Sequence, residues 1–172
     1  MRSWHKTLLV AVGVGCLLLT SAEQGMALDW GSRELETEKV AVKLTREVQK
    51  GGYGIVTTTE LKQWLDQGRQ PLIVDTMPYK DSYAKEHIPG AVHFEFPIEE
   101  VAELDAPTRE AYLKLLGPDK DRLLVFYCGF TKCGRSHNGA LWARQLGYTN
   151  VFRHPGGIKA WQQAGYPADK VR

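Results

Sequence analysis

Hydrophobic residues recur every three or four positions along several stretches of the chain, and this spacing predicts amphipathic helices. The first stretch covers residues 34–50, where Val40, Leu44 and Val48 share one face and two glycines follow its end. A second helix is predicted to begin after Thr57, because the segment "TTTE" has the spacing of a capping box. Further helices are predicted just after residue 79 and over residues 106–117, 136–146 and 158–165.

Short, almost uninterrupted apolar runs lie between these helices and predict buried strands. They cover residues 71–75, 91–94, 122–128 and 150–154. Because strands alternate with helices, we expect an α/β fold with a mainly parallel central sheet flanked by helices. The 172 residues and 43% hydrophobic content suit a single domain with a sizeable core. We assign this domain to residues 55–172 and a helical extension to residues 28–54.

The first residues of the chain have the pattern of a secretory signal peptide. A short basic start precedes an apolar run at residues 8–19, and two alanine-ending sites follow it. The run is shorter than the roughly 20 residues that a membrane-spanning helix needs. We therefore predict that residues 1–27 are a signal peptide, cleaved after Ala27 or Ala22, and that the protein is periplasmic or secreted.

Charge and cysteine content narrow the function further. The formal net charge is only +2, with no basic stripe of interleaved aromatic residues, so we expect no nucleic-acid partner. Removal of the signal peptide takes Cys16 away and leaves Cys128 and Cys133 in a compartment where disulfides persist. The sequence carries no signal for the oligomeric state.

The two remaining cysteines lie in the segment "YCGFTKCGRSHNG", between the most apolar predicted strand and a predicted helix. Ligands of α/β proteins bind beyond the carboxyl ends of the strands, and a helix N-terminus there favours an anion or a thiolate. Cys128 is therefore predicted to be a nucleophile with a lowered pKa. The residues predicted to bind an anionic substrate are those that follow it: Gly129, Phe130, Thr131, Lys132, Cys133, Gly134 and Arg135.

Several motifs in order make the chain similar to the rhodanese-like sulfurtransferases. "LIVDTMPYKDSYAKEHIPGAVHF", "VFYC" and "RSHNGALWARQLGYTNVFRHPGGIKAWQQAGYP" resemble the family pattern over residues 56–167. The resemblance implies that Cys128 takes a sulfane sulfur from an anionic donor such as thiosulfate or polysulfide and becomes a persulfide. The sulfur then passes to a thiol or cyanide-like acceptor, or to a sulfur-accepting protein, without a cofactor or a metal. Asp75 and His87 are expected to be structural supports that hold loops.

Two departures from the family pattern are visible. Met77 stands where the family usually has arginine, two residues after the strand-end aspartate. Arg135 lies seven residues after Cys128 instead of five, so the loop is two residues longer and favours a donor larger than thiosulfate. Cys133 occupies the added space, and we interpret it as a candidate resolving cysteine that caps Cys128 as a disulfide.

The sequence also allows other interpretations of the cysteine pair. The pair can form a dithiol–disulfide redox centre, or the domain can be a non-catalytic binding module. A metal site built from Cys128, Cys133, His137 and His154 would require His137 to turn inward from its helix. Phosphatase chemistry is disfavoured by the loop length, and no acid is placed to protonate a leaving group.

Overall fold

A five-stranded, fully parallel sheet forms the centre of the part of the chain that the structure describes. The structure is a computed structural model, and it describes residues 31–171. The strands are β1 (Gly54–Ile55), β2 (Leu72–Asp75), β3 (Val92–His93), β4 (Leu124–Tyr127) and β5 (Val151–His154). Their order across the sheet is β1-β5-β4-β2-β3, so β4 lies in the middle. The predicted α/β fold with a mainly parallel sheet is confirmed.

Within residues 31–171, five α-helices flank this sheet. They are α1 (Glu34–Gly51), α2 (Thr58–Asp66), α3 (Ala106–Leu116), α4 (Arg135–Gln145) and α5 (Gly157–Gln163). The short helix expected after residue 79 is a π-helical turn at Tyr79–Tyr83. The predicted capping box at the start of α2 is present, since the Thr57 and Glu60 side chains each bond the backbone of the other.

Successive residues of β4 point to opposite faces of the sheet and enter two separate cores. Leu124 and Phe126 pack in the core on the side of α3 and α4. Val125 and Tyr127 pack in the other core, which also contains Trp161 of α5. The strand is buried on both faces along its whole length, which explains why its sequence is apolar without alternation.

Helix α1 packs along α4 and belongs to the same compact unit as the sheet. Its partly buried positions include the predicted stripe of Val40, Leu44 and Val48, and also Glu47. No helix within residues 31–171 is long and apolar enough to cross a membrane. The predicted signal peptide at residues 1–27 lies outside the described residues.

Candidate active site

Cys128 follows the last residue of the central strand β4 and is fully buried. The start of α5 fixes its backbone, because the Ile158 N–H donates to the Cys128 carbonyl at 2.9 Å. Gly157 makes this approach feasible. It adopts a φ of +61°, and a Cβ atom there would lie 2.1 Å from the Cys128 carbonyl oxygen. The position of the thiol is therefore set by two elements, β4 and α5.

The sulfur atom of Cys128 points toward the beginning of α4. Its polar partners include Ser136 Oγ at 3.2 Å and the Cys133 carbonyl oxygen at 3.5 Å. The backbone N–H of Ser136 also bonds this sulfur, and the thiol donates a hydrogen bond to the Cys133 side chain. Both cysteines are free thiols in the structure. The predicted placement of Cys128 at a helix N-terminus is thus observed.

The ionisation of the pair differs from the expectation drawn from the sequence. Burial raises the pKa of Cys128 well above its ordinary value, and the neighbouring Cys133 raises it further. The hydrogen bond from Cys128 lowers the pKa of Cys133 to about 6, and the backbone N–H groups of Arg135 and Gly129 lower it too. The predicted lowering of the Cys128 pKa was therefore wrong, because this sulfur is the more deeply buried of the two.

The cationic residues of the loop have partners of their own. The Arg135 guanidinium donates to the Phe96 carbonyl and lies 3.6 Å from the Glu95 carboxylate. Its charge also contributes to the lowered pKa of Cys133. Lys132 is exposed and lies 3.6 Å from Glu36 of α1. Arg135 is thus the loop cation whose charge acts on the thiols, whereas the Lys132 side chain is exposed to solvent.

The remaining loop residues shape the backbone around the thiols. Gly129 and Gly134 are buried, Thr131 is partly buried and Phe130 is exposed. A Cβ atom on Gly134 would lie 2.2 Å from the Ile98 carbonyl oxygen, so glycine is required for this close approach. Helix α1 holds the outside of the loop, where Lys43 Nζ donates to the Lys132 carbonyl at 3.0 Å.

Arg153 on β5 is a part of the site that sequence reasoning missed. It is fully buried, its Nε–H donates to Ser136 Oγ at 2.9 Å, and another N–H donates to the Cys133 carbonyl at 2.8 Å. Its charge is paired with Glu47 of α1 at 2.5 Å. The signal in the sequence was a charged residue within an apolar strand, since such residues are rarely buried without a partner.

Asp75 and His87 contact backbone groups, as expected of structural supports. Asp75 Oδ1 accepts a hydrogen bond from the Met77 N–H at 2.8 Å. His87 Nδ1 bonds the Tyr83 carbonyl at 2.9 Å, and its backbone pairs with Asp169. Met77 itself is buried in the core that also contains Cys128, so an apolar contact stands where the family usually has a charge.

The histidines near the loop are engaged with other groups. His137 Nδ1 bonds the Tyr53 hydroxyl at 2.8 Å, and its Nε2 lies 3.3 Å from Glu100. His154 Nδ1 bonds the Val56 carbonyl at 3.2 Å. In the described part of the chain, no group of three or more His, Cys, Asp and Glu side chains is arranged to hold a metal ion.

Comparisons with known proteins agree on the fold. Residues 57–164 match the family model of the rhodanese-like domain. The comparison with curated proteins found no match. The structure is similar to thiosulfate sulfurtransferase from Pseudomonas aeruginosa, with a TM-score of 0.57, 19% identity and coverage of 77% of this chain and 23% of that chain.

Two further solved structures show the same likeness. The polysulfide-sulfur transferase homodimer from Wolinella succinogenes has a TM-score of 0.55 and 13% identity, with coverage of 80% of this chain and 92% of that chain. A protein of unknown function from Rhodopseudomonas palustris, titled a possible tyrosine phosphatase, has a TM-score of 0.54 and 20% identity, with coverage of 76% and 93%. The fold is thus one shared with sulfurtransferases. Because the family match covers more than half of the chain, this protein belongs to the rhodanese-like domain family.

Proposed function

We propose that the protein is a sulfurtransferase that carries a sulfane sulfur as a persulfide on Cys128. The observation that supports this is the position of the Cys128 sulfur at the start of α4, 3.2 Å from Ser136 Oγ and 3.5 Å from the Cys133 carbonyl oxygen, where backbone N–H groups lower the pKa of the neighbouring Cys133 thiol. Such donors stabilise the negative charge that a thiolate or a persulfide bears. The names of two structural neighbours, a thiosulfate sulfurtransferase and a polysulfide-sulfur transferase, agree with this chemistry.

Cys133 supplies the base for the first step. Its pKa of about 6 means that it is ionised at neutral pH, and it accepts the proton of Cys128 across their hydrogen bond. The Cys128 thiolate then attacks the sulfane sulfur of the donor and forms a new S–S bond. The old bond of the donor breaks, and its remainder, sulfite from thiosulfate or a shortened polysulfide, leaves with the electron pair.

The second step returns the enzyme to its starting state. A thiolate or cyanide acceptor attacks the terminal sulfur of the Cys128 persulfide and forms a bond to it. The S–S bond to Cys128 breaks, and Cys128 leaves as a thiolate that recovers its proton from Cys133. No electrons are gained or lost overall, so no cofactor is needed.

The longer loop and its surface bear on the choice of substrate. The two added residues favour polysulfide or a thiol-bound sulfane sulfur over the small thiosulfate ion. Phe130 is 54% exposed on the loop, which offers an apolar contact to a sulfur-accepting protein. The pattern of residues 1–27 supports export to the periplasm or the exterior. N-terminal sequencing of the protein from its native host tests that part of the proposal, and an intact residue 1–20 segment would contradict it.

Mass spectrometry of the reduced protein after exposure to thiosulfate or polysulfide tests the function. We expect one added sulfur on the peptide that contains Cys128, and none in a Cys128→Ser variant. The contact between the two thiols also favours a second function, dithiol–disulfide exchange. That function would appear as the loss of two hydrogens without added sulfur. An unchanged mass with both donors would refute both functions and leave a binding role.

A further inference from the structure

We infer that Arg153, held by Glu47 of α1, is a positioning residue that acts on Cys128 through Ser136 and through the backbone of Cys133. The inference rests on the proposed function only in taking Cys128 as the residue that carries the sulfur. It makes α1 part of the active site, although Glu47 lies outside residues 57–164, which match the family.

Arg153 directs its buried guanidinium at groups that surround the Cys128 sulfur. A fully buried guanidinium is costly unless its N–H groups are bonded and its charge is balanced. Here the balance comes from Glu47 at 2.5 Å, with the Tyr53 hydroxyl at 3.4 Å. The other N–H groups of the guanidinium donate hydrogen bonds to Ser136 Oγ and to the Cys133 carbonyl. Both of these groups contact the Cys128 sulfur.

Arg153 also determines where the proton of the Ser136 hydroxyl points. Arg153 Nε has no acceptor capacity, so in this contact the hydroxyl oxygen accepts. The hydroxyl proton is then left to point at Cys128 Sγ, 3.2 Å away. When Cys128 is a thiolate or a persulfide, it needs a donor at this place, and Arg153 keeps Ser136 turned to provide one.

The same guanidinium also fixes the loop between β4 and α4. Its bond of 2.8 Å to the Cys133 carbonyl holds this residue beside Cys128. The loop is two residues longer than the family pattern, and a longer loop has more conformations to lose on ordering. A guanidinium that bonds both the loop and the first turn of α4 holds the two thiols beside each other.

The test measures the pKa of the Cys128 thiol by ultraviolet thiolate absorbance in the full chain. A Cys133→Ala background removes the other active-site thiol, and subtraction of the Cys128→Ser form isolates the signal. The key variant replaces Glu47 by Gln and Arg153 by Met together. Because one positive and one negative charge are lost, the net charge is unchanged, and Arg153→Lys, which keeps the charge, separates the effect of the hydrogen bonds from that of the charge.

We expect the apparent pKa of Cys128 to rise by about one unit in the double variant and in Ser136→Ala, a tenfold loss of thiolate at a fixed pH. In the Ser136→Ala background the double replacement should have a smaller effect than in the parent, because the route through the Ser136 hydroxyl is already lost and only the route through the Cys133 backbone remains. Glu38→Gln, on the exposed face of the same helix, should leave the pKa unchanged. An unchanged pKa in the double variant, or full additivity with Ser136→Ala, would overturn the inference.

Arg153→Lys keeps the test decisive should the double variant fail to fold. It retains the charge but not the three-way fork, so we expect a folded protein whose Cys128 pKa is raised. A parent-like pKa in this folded variant would also overturn the inference. The titration uses no sulfur donor, so a protein that failed to transfer sulfur would leave this result standing, and the reverse holds too.

Discussion

Gly157→Ala is expected to damage both the fold and the active site, and Gly165→Ala provides a matched control. Both glycines have a left-handed backbone, with φ of +61° at Gly157 and +74° at Gly165. An alanine in this conformation costs about 1–2 kcal/mol at either position. A Cβ atom at Gly165 would meet nothing within 4 Å, whereas one at Gly157 would lie 2.1 Å from the Cys128 carbonyl oxygen.

Of the two variants, Gly157→Ala alone therefore adds a steric cost to the cost of the left-handed backbone. The carbonyl oxygen cannot retreat without lengthening its bond of 2.9 Å to the Ile158 N–H. Forcing an extra carbon into a packed interior costs about 1–3 kcal/mol. The free energy of unfolding should thus fall by about 2–5 kcal/mol in Gly157→Ala, against about 1–2 kcal/mol in Gly165→Ala.

Urea unfolding of both variants, followed by fluorescence, measures these losses. Persulfide formation, followed by mass spectrometry at a urea concentration where both remain folded, measures the effect on the site. We expect slower formation in Gly157→Ala and a parent-like rate in Gly165→Ala. Equal destabilisation of the two variants, together with equal rates, would show that the contact between α5 and Cys128 does not position the thiol.

Three further predictions concern the thiols and the charges. Cys133→Ala should move the inflection of persulfide formation upward from about pH 6, because only Cys128 is left to ionise and burial raises its pKa. The same variant should react without prior reductant if Cys133 caps Cys128 as a disulfide in the resting protein, and an unchanged pH profile and reductant need would assign Cys133 a packing role. Burial lowers the pKa of His154, so the native state holds it neutral and should lose stability as the pH falls below about 6.5. Thermal unfolding against pH should show a shallower acid slope in His154→Asn, and an identical slope would contradict this. Arg135→Ala should weaken donor binding or sulfur transfer by about 1.5–3 kcal/mol, and Lys132→Ala should have a smaller, salt-dependent effect; the opposite order at physiological salt would contradict this ranking.

Local patterns in the sequence were sufficient to predict most of the fold. The capping box at Thr57 depends on residues three positions apart, and the run of apolar residues at 124–127 indicates the strand β4. The position of Cys128 followed from the same information, because a parallel strand that leads into a helix places its last residues at the ligand-binding edge. These features need no knowledge of distant contacts.

The parts that were missed depend on contacts between distant segments. Glu47 and Arg153 are 106 residues apart, and neither has a local signal that names its partner. The pKa order of the two cysteines was also missed. It depends on how deeply each sulfur is buried and on which one donates to the other, and spacing along the chain reports neither quantity.

The pairing of Glu47 with Arg153 also joins two segments that are made at different times during synthesis. Helix α1 leaves the ribosome early, but its partner on β5 is made 106 residues later, and α5, which fixes the Cys128 backbone, comes later still. Contacts between such distant segments close slowly because the intervening chain must first be ordered. Cys128 and Cys133 therefore gain these supporting contacts only after the residues of β5 and α5 have been made.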